Sequence, residues 1–262
     1  INWTVDTTLL GIISGTAATA IYGVGSQINQ YYMALSTSIS GVFTPQINRI
    51  VARGEGDEQL TKLFTRVGRI QFMLLMLVLT GFVFVGEPFI CAWGGEEYGA
   101  AYWIALLLIA PVTVPLIQNI GIEIQRAKNM HQFRSKVYFC MAIGNALVSI
   151  PLGMKFGGIG CALGTAISMV VGNGFIMNWY YQTHIGLDMR YFWKHILSIV
   201  PAMLPAVALG IIAVRLHTFT GYAGVVTFAV PYAAVYAVGL YLFAMDESEK
   251  NMVRGVMRKI RR

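Results

Sequence analysis

The sequence predicts an all-α integral membrane protein, as judged from its composition, the length of its apolar stretches and the distribution of its charges. Hydrophobic residues form 56% of the 262 residues and charged residues only 12%, whereas soluble domains usually contain about 25% charged residues. A helix needs about 20 apolar residues to cross a membrane. The chain accordingly divides into about eight transmembrane helices, near residues 5–23, 24–45, 69–91, 100–124, 137–154, 158–181, 196–214 and 222–245.

The basic residues give these spans an orientation. All of the 19 lysines and arginines except Lys155 and Arg215 lie between spans two and three, four and five, six and seven, or after span eight. Basic residues collect in the short loops on the cytoplasmic side of a membrane. Both ends of the eight-span segment are therefore expected in the cytoplasm. The net charge of +7 is explained by this orientation and gives no support to nucleic-acid binding.

The second span, within residues 22–53, carries polar side chains along its whole length. At about 100° per residue, one helical face is small or polar and the opposite one is apolar, with Leu35 and Val42 among its members. Amides and hydroxyls that faced hydrocarbon would lack partners, so the polar face should border other helices or a water-filled path. This face holds Gln27, Gln30, Ala34, Thr37, Ser38, Gly41, Pro45 and Asn48, and Arg49 follows it at the basic end.

Span one adds Asp6 as a candidate path residue, close to the end predicted to be cytoplasmic. An acidic side chain within a membrane is by default a functional hypothesis, because its charge is costly there. The alternative is an interfacial carboxylate in water or a hydrogen bond between helices.

Span four contains Pro111 and Pro115, which should kink the helix. Beyond them come Gln118, Glu123 and Arg126, and a broken helix with polar groups past the break is typical of transporters. These three are further candidates for the path, although Glu123 and Arg126 could simply pair at the membrane edge.

Other segments are assigned structural roles. A short amphipathic helix is expected between spans two and three, where Glu58 and Lys62 are four residues apart. Spans five and six are joined tightly, and two pairs of glycines at four-residue spacing should let them pack closely. These pairs are Gly153 with Gly157 and Gly160 with Gly164. Spans seven and eight carry few polar side chains and are expected at the periphery.

The sequence predicts neither an enzyme nor a resident metal or cofactor. The four histidines lie outside the spans or at their ends, and the three cysteines occur singly without metal-ligand spacing. The Glu96–Glu97 pair lies in a short loop without nearby histidine.

Five local patterns, in this order, resemble the polysaccharide or oligosaccharide-unit flippases of the multidrug/oligosaccharidyl-lipid/polysaccharide exporter superfamily. The resemblance extends from residue 2 to about residue 180. The patterns are Asn2 and Asp6 followed by LLGIISGTAATAIYGVG, then FTPQINRIVARGEGDE, GGEEYGAAYW, IEIQRAKNMHQFRSKV and FGGIGCALGTAIS.

The resemblance implies a two-lobe exporter of which this chain is the C-terminal portion. Residues 1–182 would be the second six-helix lobe, 183–245 two additional transmembrane helices and 246–262 a basic cytoplasmic tail. The N-terminal lobe would precede residue 1 in a longer chain.

The implied activity is alternating-access transfer of polyprenyl-diphosphate-linked oligosaccharide units to the outer leaflet of the bacterial plasma membrane. These units would serve cell-surface polysaccharide or lipopolysaccharide assembly. The implied partners are the lipid-linked oligosaccharide, the phospholipid bilayer, the N-terminal lobe and a polysaccharide polymerase. Relatives line their lumen with basic residues, whereas here the basic residues lie at membrane edges, with Arg49 and Arg126 nearest to the path.

Two other functions remain open on sequence alone. A cation-coupled multidrug exporter of the same superfamily would need an intramembrane carboxylate, for which Asp6 is the candidate. A membrane-embedded polymerase or acyltransferase usually needs a large external loop with acidic or histidine residues, and the external loops expected here are short.

Overall fold

The computed structural model describes residues 7, 10, 11, 15–54, 56–247, 249–251, 254 and 255. Helices account for nearly all of this part of the chain, and it contains no strand, so the predicted all-α class is confirmed. The helices are α1 (Gly15–Arg53), α2 (Asp57–Gly94), α3 (Ala101–Ile117), α4 (Ile120–Ala127), α5 (132–156), α6 (158–185), α7 (Met189–Leu197), α8 (Val200–Leu216) and α9 (Gly221–Phe243).

Several of these helices have the length and apolarity to cross a membrane. Within the described ranges, four helical segments do so individually, and α3 and α4, bent by 42° at their junction, can form a fifth. The four are Asp57–Gly94, Gln132–Ile185, Met189–Leu216 and Gly221–Phe243. The segment Gln132–Ile185 is a pair of helices, because Gly157 breaks it with φ 58° and ψ −136°. The protein is therefore a multi-pass membrane protein.

The predicted boundary between spans one and two, at residues 23 and 24, is wrong. Helix α1 runs without interruption from Gly15 to Arg53. Among the glycines of α1, Gly15 at its start has a positive φ, of 80°. Gly25 instead serves helix packing, since a Cβ atom there would lie 2.8 Å from Cγ2 of Ile104 in α3.

The expected short helix between spans two and three is also absent as a separate element. Residues 57–68 form the first three turns of α2, which continues to Gly94. The predicted pair is present, with Lys62 Nζ 2.6 Å from Glu58 Oε1. This hydrogen bond and the lysine's charge lower the pKa of the Glu58 carboxyl.

Helices α5 and α6 form a close antiparallel hairpin around Gly157. The predicted glycine packing is confirmed for Gly160 and Gly164, whereas Gly157 forms the break between the helices and a Cβ atom there would meet nothing within 4 Å. A Cβ atom on Gly160 would overlap the carbonyl oxygen of Leu152, and one on Gly164 would overlap Ser149. Asn145 joins the same contact, since its Oδ1 accepts hydrogen bonds from Ser149 Oγ at 2.9 Å and Thr165 Oγ1 at 3.2 Å. Small residues thus let polar groups pair inside the hairpin.

Helices α8 and α9 pack mainly against each other and against α2. This arrangement agrees with the peripheral position predicted for spans seven and eight. In α9, the Tyr236 hydroxyl donates to the Met73 carbonyl of α2 at 2.8 Å. Gly239 meets the Ala202 carbonyl of α8, where a Cβ atom would lie 2.5 Å from the oxygen. The C-terminal pair therefore extends the bundle on the α2 side.

Candidate functional site

The candidate site begins with α1, whose rotation is fixed by polar contacts on its buried face. The Tyr32 hydroxyl lies 2.7 Å from Thr113 Oγ1 of α3. Ser36 Oγ donates to the Leu116 carbonyl at 2.8 Å, and Gln71 Nε2 of α2 donates to Ser36 Oγ at 2.9 Å and Ser40 Oγ at 2.8 Å. These bonds hold one side of α1 against α2 and α3. The opposite side is turned away from the bundle.

That opposite side is the polar face expected from the sequence. Every residue assigned to it is exposed, and so is Arg49 at its end: Gln27, Gln30, Ala34, Thr37, Ser38, Gly41, Pro45, Asn48 and Arg49. Leu35 and Val42, assigned to the apolar face, are exposed as well, at 39% and 75%. The exposed face is therefore wider than the predicted polar stripe.

Helix α1 itself satisfies part of this exposed polarity. Ser38 Oγ donates to the Ala34 carbonyl at 2.7 Å, and Thr37 Oγ1 to the same carbonyl at 3.1 Å. Such bonds to the preceding turn leave the hydroxyl oxygens able to accept a further bond. Gln27 and Gln30 are exposed on the same face.

Sequence reasoning missed Tyr31, which belongs to the same exposed face. Its side chain is 59% exposed, and its hydroxyl accepts a 2.9 Å hydrogen bond from Gln27 Nε2. The signal was present, because Tyr31 lies four residues after Gln27 and next to Gln30. An aromatic ring held beside two amides can offer both a flat apolar surface and hydrogen bonds.

The residues beyond the prolines of α3 do not form one surface. Helix α3 continues through Pro111 and Pro115 to Ile117, so the break lies after the prolines, at residues 118–119 between α3 and α4. Gln118 is buried, and its amide donates to Asn178 Oδ1 of α6 at 3.0 Å. Glu123 pairs with Arg126 at 2.9 Å, with side-chain exposures of 22% and 66%. Of the three candidates, Arg126 is the most accessible. Asp6, the path residue predicted in span one, lies outside the described residues.

A cleft of about 460 Å³ lies beside Arg126, where α4 leads into α5. Its lining combines basic, hydroxyl and aromatic side chains: Ile122, Arg126, His131, Arg134, Ser135 and Tyr138. The sequence indicates a role for Arg134 only as one of the positive charges that orient the protein in the membrane. Among the described residues no cluster of three histidine, cysteine or acidic side chains could hold a metal ion.

Two buried amides have no hydrogen-bond partner within the described part of the chain. Both polar atoms of Asn29 in α1 and of Gln125 in α4 are unpaired, and each residue is 0% exposed. A buried polar group without a partner costs about 1–3 kcal/mol.

Replacing Asn29 by leucine should therefore raise the thermal unfolding midpoint of the purified protein in detergent. Asn145→Leu is the matched control, because it removes the acceptor of two hydrogen bonds and should lower the midpoint. A lower midpoint for Asn29→Leu would contradict the prediction and show that the amide has a partner in the membrane.

Comparison with known proteins finds similarity to a probable flippase. No family model and no solved structure matches the chain. The chain is 26% identical over 177 residues to "Probable flippase AglR" of Haloferax volcanii, a match that covers 66% of this chain. The chain spans 36%, about a third, of the length of the probable flippase that it resembles.

Proposed function

We propose that this chain forms one wall of a flippase that moves polyprenyl-diphosphate-linked oligosaccharide units from the cytoplasmic to the outer leaflet by alternating access. The exposed polar face of α1 carries this proposal. Amides and hydroxyls in a membrane protein are expected to face partner helices or water rather than lipid. A face of this kind, on a helix anchored by its other side, suits the wall of a hydrophilic lumen. The similarity to a probable flippase supports the same function.

The proposal includes an arrangement of the whole protein. Residues 1–182 would form the second lobe, 183–245 the two additional helices and 246–262 a cytoplasmic tail. An N-terminal lobe of the same protein would face α1 across the lumen. The distribution of basic residues supports a plasma-membrane orientation with the C-terminus in the cytoplasm. A polysaccharide polymerase would receive the transported unit.

Within this lumen, Gln27, Gln30 and Tyr31 would contact the sugar. Carbohydrates present hydroxyl groups at the ring edge and C–H groups on the ring faces. The two amides can donate to and accept from the hydroxyls, while the exposed tyrosine ring can stack on a C–H face. No cofactor is needed for a movement of this type.

Removal of these contacts should slow transport by the complete protein. Each neutral hydrogen bond contributes about 0.5–1.5 kcal/mol, so Gln27→Ala/Gln30→Ala should reduce the rate by about 10-fold, and Tyr31→Ala by several-fold. Transport is measured as surface polysaccharide restored in a strain that lacks its own flippase. Tyr222→Ala is the control, because Tyr222 is 56% exposed but lies on the peripheral helix α9.

The outcomes separate the competing functions. If the complete protein leaves lipid-linked units in the inner leaflet, the flippase proposal fails. If polysaccharide export is unaffected by the protein but efflux of a small organic cation depends on Asp6, the multidrug-exporter alternative replaces it.

A further inference from the structure

The cleft between α4 and α5 has a lining suited to an anionic group. Arg126, His131 and Arg134 border it together with the hydroxyl-bearing Ser135 and Tyr138. None of its lining residues is acidic. Glu123 pairs with one nitrogen of Arg126, Nη1, which leaves the other guanidinium donors available. The volume of about 460 Å³ falls within the range of small-molecule sites.

Arg134 is held in place without a neutralising carboxylate. Its Nη2 donates to the Tyr138 hydroxyl at 2.6 Å, and its Nη1 lies 3.4 Å from the Tyr181 hydroxyl. The guanidinium carbon also lies 4.6 Å from the centre of the Tyr138 ring. Tyr138 in turn donates to Asn173 Oδ1 at 2.9 Å. No ion pair to Arg134 occurs among the described residues, so its positive charge remains available.

The start of α5 adds positive potential to the same place. His131 precedes the first helical residue and provides no side-chain cap. The first amide groups of the helix therefore lack a capping side chain, and the helix dipole favours negative charge at this end. Ser135, one turn into the helix, lines the cleft. The two guanidinium groups and the N-terminal end of α5 therefore both contribute positive electrostatic potential within the cleft.

We propose that the cleft formed by Arg126, His131 and Arg134 binds the phosphate group of a lipid headgroup. Guanidinium donors match the oxygens of phosphate in planar, bidentate geometry. The cleft lies among the basic residues that orient the protein, at the end expected in the cytoplasm, where lipid phosphates are found. The phosphate belongs to a lipid-linked diphosphate or to an anionic phospholipid of the bilayer. The first assignment rests on the proposed function; the second does not.

A direct test compares headgroup binding by Arg134→Gln, Arg126→Gln and the wild type. The complete protein is placed in nanodiscs, and binding of a polyprenyl diphosphate and of phosphatidylglycerol is measured by native mass spectrometry. Loss of one charged donor should weaken binding by about 10-fold or more. Arg126→Gln tests the site independently if Arg134→Gln fails to fold, because the Arg126 side chain is 66% exposed and its replacement should not disturb folding.

Lys136→Gln is the matched control. Lys136 lies two residues after Arg134 and has the same charge, but it lines a separate apolar groove on the other side of α5. Both arginine variants should lose binding and Lys136→Gln should retain it. Arg134→Lys should restore binding only in part, because lysine lacks the planar fork.

The result also identifies the source of the phosphate. A selective loss of polyprenyl diphosphate binding assigns the cleft to the transported lipid, and a selective loss of phosphatidylglycerol binding assigns it to the bilayer. If both arginine variants bind both lipids as Lys136→Gln does, the site is rejected. If the wild-type protein binds headgroups but transports no lipid-linked sugar, the proposed function is wrong, whereas the phosphate site is retained.

Discussion

Replacing Gly160 by alanine is expected to destabilise the folded protein by about 3 kcal/mol or more. A Cβ atom at this position would overlap the carbonyl group of Leu152 in α5 and lie 2.9 Å from the amide nitrogen of Gly153. Overpacking costs about 1–3 kcal/mol when side chains can shift, and here the obstacle is the backbone of the facing helix. The loss is measured as a lower thermal unfolding midpoint of the purified protein in detergent.

Gly144→Ala provides a control within the same hairpin. A Cβ atom on Gly144 would meet nothing within 4 Å, and alanine is favoured over glycine inside a helix by about 1 kcal/mol. The two variants should therefore change the midpoint in opposite directions. If Gly160→Ala unfolds at the same temperature as Gly144→Ala, the close packing of α5 against α6 is refuted.

The sequence predicted this hairpin because its signal is local. Gly160 and Gly164 are one turn apart, so they must lie on one face of a helix, and small residues on one face permit a close approach. The register of the contact was not predictable in the same way. It depends on the left-handed backbone of Gly157, which decides that Gly160 faces Leu152 and Gly164 faces Ser149.

Helix α1 shows why a face can be predicted while its width cannot. The sequence predicts that the polar stripe from Gln27 to Asn48 borders other helices or a water-filled path, and in the structure these residues are exposed. Leu35 and Val42 are exposed too, because the buried side of α1 is selected by side-chain size as well as by polarity. Ser36 and Ser40 are small enough to lie against α2 and α3 and find partners there.

The contacts of Gln118 and Arg134 could not be derived from the sequence. Gln118 reaches Asn178, 60 residues later, and Arg134 reaches Tyr181 in α6. Sequence spacing describes neighbours on one helix, whereas these partners meet only after several helices have packed. The sequence identifies Arg134 only as one of the basic residues that orient the protein in the membrane, whereas in the structure it lines a cleft.

Arg69 gives the second prediction of large effect, and its role was equally hidden in the sequence. It is 7% exposed and forms a bidentate ion pair with Glu249, 180 residues later, with two nitrogen–oxygen distances of 2.9 Å. It also donates to the carbonyls of His195 and Ala244 at 2.9 Å and 2.7 Å. Asp246 completes the cluster by exchanging hydrogen bonds with Glu249. One arginine thus joins α2 to α7 and to the segment after α9.

Glu249→Gln should lower the stability of this junction by about 3–5 kcal/mol, because it leaves a buried guanidinium without its counter-charge. We expect a lower thermal midpoint and faster proteolysis of the chain beyond Phe243. Glu58→Gln is the control, since the Glu58–Lys62 pair is 81% and 62% exposed and such exposed pairs contribute little to stability.

The double variant Arg69→Met/Glu249→Leu separates the cost of an unpaired charge from the value of the pair. Replacing both members of a buried ion pair by apolar residues is often neutral, so this variant should regain most of the stability that Glu249→Gln loses. Burial also shields the pair from salt, and 0.5 M NaCl should leave the wild-type midpoint nearly unchanged. A Glu249→Gln protein as stable and as protease-resistant as Glu58→Gln would show that Arg69 does not hold the C-terminal segment in the membrane-embedded protein.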